Sequence, residues 1–369
     1  MFKFLITIQP LGLMYGSAGA FLSPENLVGR SGAKFPPDAA TVSGLIFSAN
    51  KEQKFSAHKE LTDKLHVTGP FWAFIGAEDD FYVPLPRYKV IGKDYFDEWI
   101  IQNYKWSLKS ASEHDDLTAE EETKKEESEY RWLRIDYWDD SAQTIYSDRN
   151  ETYPSVAENP WTFMPVLHPQ LKQDERHVLS EDGLFLENAV QMKDDTCLVY
   201  LSNYPLEEGW YQFGGEGHMV EVKSIPLADH LIERLQASVQ KSFALITPGI
   251  WGSNHLSYRY PKHSKEQVFA EDNNKIMMLT DKAIPYRYRI GYGDKKQQDF
   301  RDRDPGRLSR GRYAVPAGSV YVLREPLNRS WWDFPEDWFP EKGLLKKMGC
   351  GLCLPIILNC SEGGSDEDR

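Results

Sequence analysis

Residues 2–50 run FKFLITIQPLGLMYGSAGAFLSPENLVGRSGAKFPPDAATVSGLIFSAN, and this stretch decides the fold class. Phe4, Ile6 and Ile8 share one parity, which predicts a strand over Phe2–Gln9. Lys3, the apolar run and Ala18-Gly19-Ala20 also imitate a secretion signal, but Gln9-Pro10 stops the run too early for one. A loop punctuated by Gly12, Gly16, Gly19, Gly29 and Gly32 follows, with Ser17, Arg30 and Lys34 in it. Pro36-Pro37-Asp38 then opens a helix from Ala39 to about Asn50, because proline suits the first helical turn. Strand, Gly-rich loop and helix N-terminus is a layout for an anion, since free backbone N–H groups and the helix dipole point the same way there. The spacing matches neither a P-loop nor a dinucleotide fingerprint.

Outward from this stretch the same mixture recurs. Val67–Ile75 is a second apolar segment, and Phe81–Pro86 reads as an edge strand entering a loop. Asn159–Gln173 is broken by prolines and reads as a domain linker or edge. Thr196–Leu201 is a strand, and Trp210–Val222 is a strand, a glycine turn and a strand. Ala228–Lys241 is an amphipathic helix with Leu231, Ile232, Leu235 and Val239 on one face. Phe243–Thr247 is a strand closed by Pro248-Gly249. Strand–helix–strand units therefore stand at Phe2–Ile75 and at Trp210–Thr247. The expectation is an α+β chain of two related small domains with insertions: residues 1–170, residues 171–360, and an acidic tail over 361–369 read as disordered.

The composition agrees. A chain of 369 residues has room for two ordinary domains, and 41% hydrophobic content supplies a core. Four cysteines are too few for a disulfide framework at this length, which fits a reducing cytoplasm. No apolar run approaches a membrane-spanning helix. Between Ser112 and Glu129 nine acids face two lysines, and Thr118 with Glu121 makes a capping box, so this insertion reads as a solvated helix.

The formal charge is −13, yet residues 282–324 hold eleven Lys/Arg against four acids, a local balance of +7. Such an island attracts polyanions. Tyr286, Tyr288, Ile290 and Tyr292 fall on one parity and Arg287 and Arg289 on the other. That predicts a strand with an aromatic face and a basic face, suited to stacking bases and pairing phosphates of single-stranded nucleic acid. A long polar loop then runs to Gly311, and Ser319–Leu323 is a strand again. Charge alone leaves a solvated hairpin equally open.

Several stretches, taken in order, resemble a family. They are Phe35-Pro36-Pro37-Asp38-Ala39-Ala40-Thr41-Val42-Ser43-Gly44, Thr68-Gly69-Pro70, Tyr82-Val83-Pro84-Leu85-Pro86, Gly214-Gly215-Glu216, Leu245-Ile246-Thr247-Pro248, Ala314-Val315-Pro316-Ala317-Gly318-Ser319-Val320-Tyr321 and Gly349-Cys350-Gly351. Together they resemble the third subunit of the Cmr complex, the type III-B CRISPR effector. That subunit belongs to the RAMP superfamily, in the group that caps the guide RNA. The resemblance spans most of the chain, and its specific parts are F-P-P-x-x-x-T-x-x-G and A-V-P-A-G-S-V-Y. It implies two ferredoxin-like, RRM-related domains. It also implies a non-catalytic RNA-binding subunit that grips the 5′ repeat handle of CRISPR RNA in antiviral defence. Such a subunit docks the large polymerase-cyclase subunit and the backbone RAMP subunits, without cofactor, metal or membrane. Glycine loops let backbone N–H groups approach phosphates, so the expected contacts follow them. They are Ser17, Arg30 and Lys34 in the first loop, and Gly214, Gly215 and His218 in the glycine turn. Arg287 and Arg289 lead into an arm of Lys295, Lys296, Arg301, Arg303, Arg307, Arg310 and Arg312. The last are Ala317, Gly318 and Ser319, then Lys346, Lys347 and Gly349.

One alternative is catalytic: a metal-independent endoribonuclease that processes CRISPR repeat RNA, with His218 as the best-placed general base. Against it stands a histidine that contacts RNA or is merely exposed. Cys350 and Cys353 make one C-x-x-C pair, and a tetrahedral zinc would need two more ligands from Cys360, Cys197 or a remote histidine, so packed cysteines are preferred. Trp331, Trp332 and Trp338 form either an interface patch or a satellite core, and core or loop packing is preferred because Pro335 and Pro340 hold the segment compact.

Overall fold

The structure, a computed structural model, describes residues 1–15, 35–102, 105–110, 128–169, 177, 184–215, 217–261, 277–290, 307–323, 325–358 and 360–361. The acidic insertion, with its capping box, and the acidic tail lie outside these residues, apart from Ser128, Glu129 and Ser361. The first strand, β1 (Phe4–Pro10), forms where its period-two pattern places it. Both of its faces are covered: Ile6 and Ile8 pack to one side and Leu5 to the other. That double burial is why its apolar run is nearly continuous. A short β2 (Met14–Tyr15) follows, then α1 (Ala39–Gln53). Helix α1 stops at Lys54, which turns left-handed at φ 53° and returns its N–H to the Asn50 carbonyl at 2.9 Å. Helix α2 (His58–Lys64) is brief.

The remaining N-terminal strands are β3 (Val67–Phe74), β4 (Tyr82–Pro84), β5 (Lys89–Ile91), β6 (Phe96–Gln102), β7 (Lys105–Leu108), β8 (Trp132–Arg134) and β9 (Val156–Ala157), with α3 (Ala142–Ser147) before β9. Then come β10 (Trp161–Pro169), β11 (Leu184–Met192), β12 (Thr196–Ser202), β13 (Gly209–Phe213) and β14 (His218–Pro226). Eight of these form one sheet in the order β13-β14-β1-β12-β3-β4-β8-β9. Strand β1 is antiparallel to both neighbours, with Leu5 opposite Leu201 on one side and Ile225 on the other.

This topology corrects three expectations. The sheet takes strands from both sides of residue 170, so a boundary there would cut through it. Over its described residues Asn159–Gln173 is an edge and not a linker: β10 pairs with β11 over nine residues as a hairpin, β2 adds to the far side of β11, and β10 is left at the edge. Phe81–Pro86 is not an edge, because β8 pairs with β4 on its far side.

Helix α4 (Asp229–Gln236) leads into β15 (Ser242–Leu245), which lies in a second sheet of order β18-β23-β15-β24, so the expected second strand–helix–strand unit bridges two sheets. Its other strands are β18 (Met277–Leu279), β23 (Val320–Val322) and β24 (Cys353–Pro355). Between β15 and β18 stand β16 (Trp251–Gly252) and β17 (Ser257–Tyr258). Between β18 and β23 stand β19 (Ile284–Tyr286), β20 (Arg289–Ile290), β21 (Arg307–Leu308) and β22 (Arg312–Ala314).

One core joins the two sheets. Phe71, Val199 and Leu201 of the large sheet share it with Leu235, Phe243, Tyr321 and Trp331. The other face of the large sheet packs Val67, Leu198 and Val222 against Val42, Leu45, Ile46 and Ala49 of α1. Burying each such side chain contributes roughly 1.5–3 kcal/mol. Trp331 and Trp338 are fully buried, as expected of core packing. Cys350 and Cys353 are buried in different clusters, Cys350 beside Tyr286 and Cys353 in the main core.

Glycines set the seam between the halves. Gly349 is left-handed at φ 70°, and its carbonyl accepts from Thr68 Oγ1 at 3.2 Å and Thr247 Oγ1 at 2.6 Å. A Cβ on Gly349 would sit 2.1 Å from Thr68. Gly318, at φ 83°, donates its N–H to the Leu245 carbonyl at 2.7 Å and accepts from the Arg87 N–H at 2.9 Å. Beside this seam Lys89 is buried, and its ammonium donates to the carbonyls of Trp138 at 2.7 Å and Asp140 at 2.6 Å. Burial pulls its pKa down to about 8.

Candidate nucleic-acid interface

The basic stretch folds as a two-stranded ribbon. Strand β19 pairs with β22, and β20 with β21. Tyr286 faces Arg312 while Arg289 faces Leu308, so the returning strand carries one extra residue. This bulge falls by Arg310, and bulges re-aim side chains.

The ribbon's two faces differ from the expectation. Tyr286 and Tyr288 are buried and pack with Ile250, Ala314, Leu345 and Cys350. They are core residues, not a stacking platform: a ribbon lying on an apolar patch buries its own apolar parity. Arg312 is buried with them. Its guanidinium donates to the Ser253 carbonyl at 2.9 Å and pairs with Glu341 at 3.0 Å. The Tyr288 hydroxyl donates to the other oxygen of Glu341. Burial raises the Tyr288 pKa far above the usual phenol range, so it stays a donor.

Outward stand Arg289 and Arg310, exposed, and Arg287, half-buried over Gly311. Tyr313 is 64% exposed, and its backbone N–H is pinned to Ser257 Oγ at 3.1 Å. Arg310 lies 3.4 Å from His255 Nδ1 and 3.5 Å from the His255 carbonyl. No acid occurs in residues 284–290 or 307–314. The outward face is therefore cationic with one open aromatic ring, the pairing that single-stranded nucleic acid uses. The sequence reading missed Tyr313 and His255. The signal for Tyr313 was its parity opposite Arg312.

Ser17, Arg30, Lys34, Lys295, Lys296, Arg301 and Arg303 lie outside the described residues. Arg307 is placed by its backbone in β21, opposite Ile290. The other expected contacts disperse. Ser319 is buried, its hydroxyl donating to the Pro316 carbonyl at 2.7 Å, and Ala317 and Gly318 complete that turn at the seam. Lys346 is buried, donating to the carbonyls of Trp332 at 2.7 Å and Phe334 at 2.6 Å, and burial lowers its pKa. Lys347 reaches the Thr62 carbonyl at 3.3 Å. Like Gly349, Arg312 and Lys346 serve the interior and present no charge to a polyanion.

Gly214 and Gly215 form the open turn before β14, Gly214 at φ 76°. His218, just after it, accepts the Tyr15 N–H at its Nε2, 3.0 Å away, and stacks on the Tyr15 ring with centroids 5.7 Å apart. The Tyr15 hydroxyl lies 3.3 Å from His168 Nε2. Two imidazoles thus flank one tyrosine, and neither Tyr15 nor His168 had been singled out. Among the described residues no three His, Cys, Asp or Glu converge as metal ligands. No helix among them is long and apolar enough to cross a membrane.

Sheet, seam and ribbon define a sheet-dominated α/β protein with arginines on the outward side of its ribbon. The family model for "CRISPR-associated protein (Cas_Cmr3)" matches residues 7–358, and the chain belongs to that family, a subunit of type III CRISPR effector complexes. Among solved structures, one similar chain comes from a cryo-EM structure of the Type III-B Cmr-beta bound to cognate target RNA. The two are 13% identical at TM-score 0.45, over 87% of this chain and 86% of that one. Another comes from the Csm3-Csm4 subcomplex in the type III-A CRISPR-Cas interference complex. It is 10% identical at TM-score 0.35, over 89% of this chain and 94% of that one. No curated protein matches.

Proposed function

We propose that this subunit binds the 5′ repeat handle of CRISPR RNA on the outward face of its ribbon, without catalysis. In the same complex it docks the large polymerase-cyclase subunit and the backbone RAMP subunits. The observation that carries this reading is the outward placement of Arg287, Arg289, Arg310 and Tyr313 on ribbon strands whose own residues include no acid. Guanidiniums pair phosphates and the open ring stacks a base. The four-strand core β14-β1-β12-β3, with α1 on one face, supports a ferredoxin-like, RRM-related platform in which β13 stands where a second helix would be. The test is affinity for labelled CRISPR RNA with and without its handle, across a salt series. The expected result is weaker binding without the handle, and a shallower salt slope after Arg287, Arg289 and Arg310 are changed to alanine. Equal affinity for both RNAs would count against handle recognition by this chain.

The Tyr15–His168–His218 group favours a second reading, a metal-independent endoribonuclease. One group would take the 2′-hydroxyl proton as that oxygen attacks the adjacent phosphorus, and another would protonate the departing 5′ oxygen. Against it, the Nε2 lone pair of His218 is already held by the Tyr15 N–H. Repeat RNA cut at discrete sites, with cutting lost in His218→Ala, would establish it. Intact RNA would remove it.

A further inference from the structure

Strand β13 is the outer edge of the eight-stranded sheet, and among the described residues no strand pairs with its far side. Trp210 projects from it 72% exposed, and Trp210 lies opposite Glu221 and Gln212 opposite Met219. Met219 is 45% exposed and Leu11 is 50% exposed, the Leu11 N–H bonding the Met219 carbonyl at 3.1 Å. Further along the same parity of β1 and β14, Leu5 and Ile225 are covered by the main core. At this end, among the described residues, that cover stops, and Trp210, Met219 and Leu11 belong to none of the core clusters. The other face of β13 is closed: Phe213 and Tyr211 pack on the α1 layer, and Gln53 bonds the Tyr211 hydroxyl at 3.3 Å.

The rim is acidic. Glu208 and Glu221 flank Lys223, whose ammonium lies 3.8 Å from one and 3.7 Å from the other. Two carboxylates against one ammonium leave this rim net negative, which disfavours phosphates and favours a basic protein segment over RNA as the occupant. An open strand edge, an exposed tryptophan beside a methionine, and a negative rim fit one ligand chemistry. It is an extended protein segment that pairs its backbone with β13, lays an apolar side chain on Trp210, and brings lysine or arginine to Glu208 and Glu221.

We propose that the β13 edge is a docking surface for such a basic strand from another protein subunit of the effector complex. This rests on the docking half of the function proposed above, and it assigns docking to a surface separate from the ribbon. The test replaces Trp210 with the photo-crosslinker p-benzoylphenylalanine in the full chain, assembled with the other subunits of its complex and CRISPR RNA. A parallel assembly carries Trp210→Asp. Expected are a crosslink to a protein subunit and at least a tenfold loss of that subunit from the Trp210→Asp assembly. The melting temperature and RNA affinity of the chain should not change, since the side chain is exposed. A crosslink to RNA overturns the inference, as does a Trp210→Asp assembly that matches wild type. If the wild-type chain itself fails to join those subunits, the docking reading falls as well. If it joins and Trp210→Asp joins equally, only the β13 assignment falls.

Discussion

The glycine seam and the outward ribbon put similar residues to opposite uses. At the seam, Gly349 and Gly318 let backbones touch, while Lys346, three residues before Gly349, and Arg312, on the ribbon's inward face, spend their charges on carbonyls and on a carboxylate inside the protein. On the ribbon, Arg289, Arg310 and Tyr313 stand exposed on the outward face. One of the two stretches that mark the family most specifically, Ala314–Tyr321, lies at the seam through Gly318. A family signature here records how two halves close on one another more than what the closed protein holds. Changes at the seam should therefore cost stability, and changes on the ribbon should cost RNA affinity.

The largest effect is expected from Gly349→Ala. Its new methyl would overlap Thr68 at a left-handed φ, and denaturant unfolding should show a loss of about 4 kcal/mol. Wild-type stability in this variant would break the comparison at its strongest point. Arg312→Ala should follow at about 3 kcal/mol, because it strands Glu341 beside Tyr288, with RNA affinity unchanged in the folded fraction. A selective loss of RNA binding would instead move Arg312 to the ribbon's outward class.

Lys89 tests the same rule by titration. Its folded pKa of about 8 lies below its ordinary 10.5. Below pH 8 it is charged in both states and the full cost of burying the charge applies. Between pH 8 and 10.5 the unfolded chain holds a proton that the folded chain has released, so stability rises with pH. The rise should be roughly 3 kcal/mol in wild type, and its absence is expected in Lys89→Met. Equal pH profiles for the two proteins would refute a depressed pKa at this site. The smallest effect is Tyr313→Ala: about a tenfold loss of RNA affinity, with stability changed by less than about 0.5 kcal/mol. Filter binding and thermal melting on the same sample would separate the two.

What the sequence made legible was local. The parity of Phe4, Ile6 and Ile8 marked β1, and Pro36-Pro37-Asp38 marked the start of α1. The ribbon's alternation was legible too, but parity does not say which face is inward. The patch that decides it, Ile250, Leu345 and Cys350, lies tens of residues away on either side. Arg312 and Lys346 look like any surface cation until the fold brings Glu341 and the carbonyls of Trp332 and Phe334 to them. The sheet order was illegible for the same reason, since both partners of β1 stand about two hundred residues downstream.

That separation has a consequence for biosynthesis. The first strand to leave the ribosome has no neighbour until Ser202 is made and lacks its second until Pro226. At ordinary elongation rates β1 waits on the order of 10–40 s as an apolar strand with two open edges. A nascent chain cut near residue 170 would never close them. A pause before β14 lengthens that interval, and whatever shields β1 meanwhile is part of how this subunit is made.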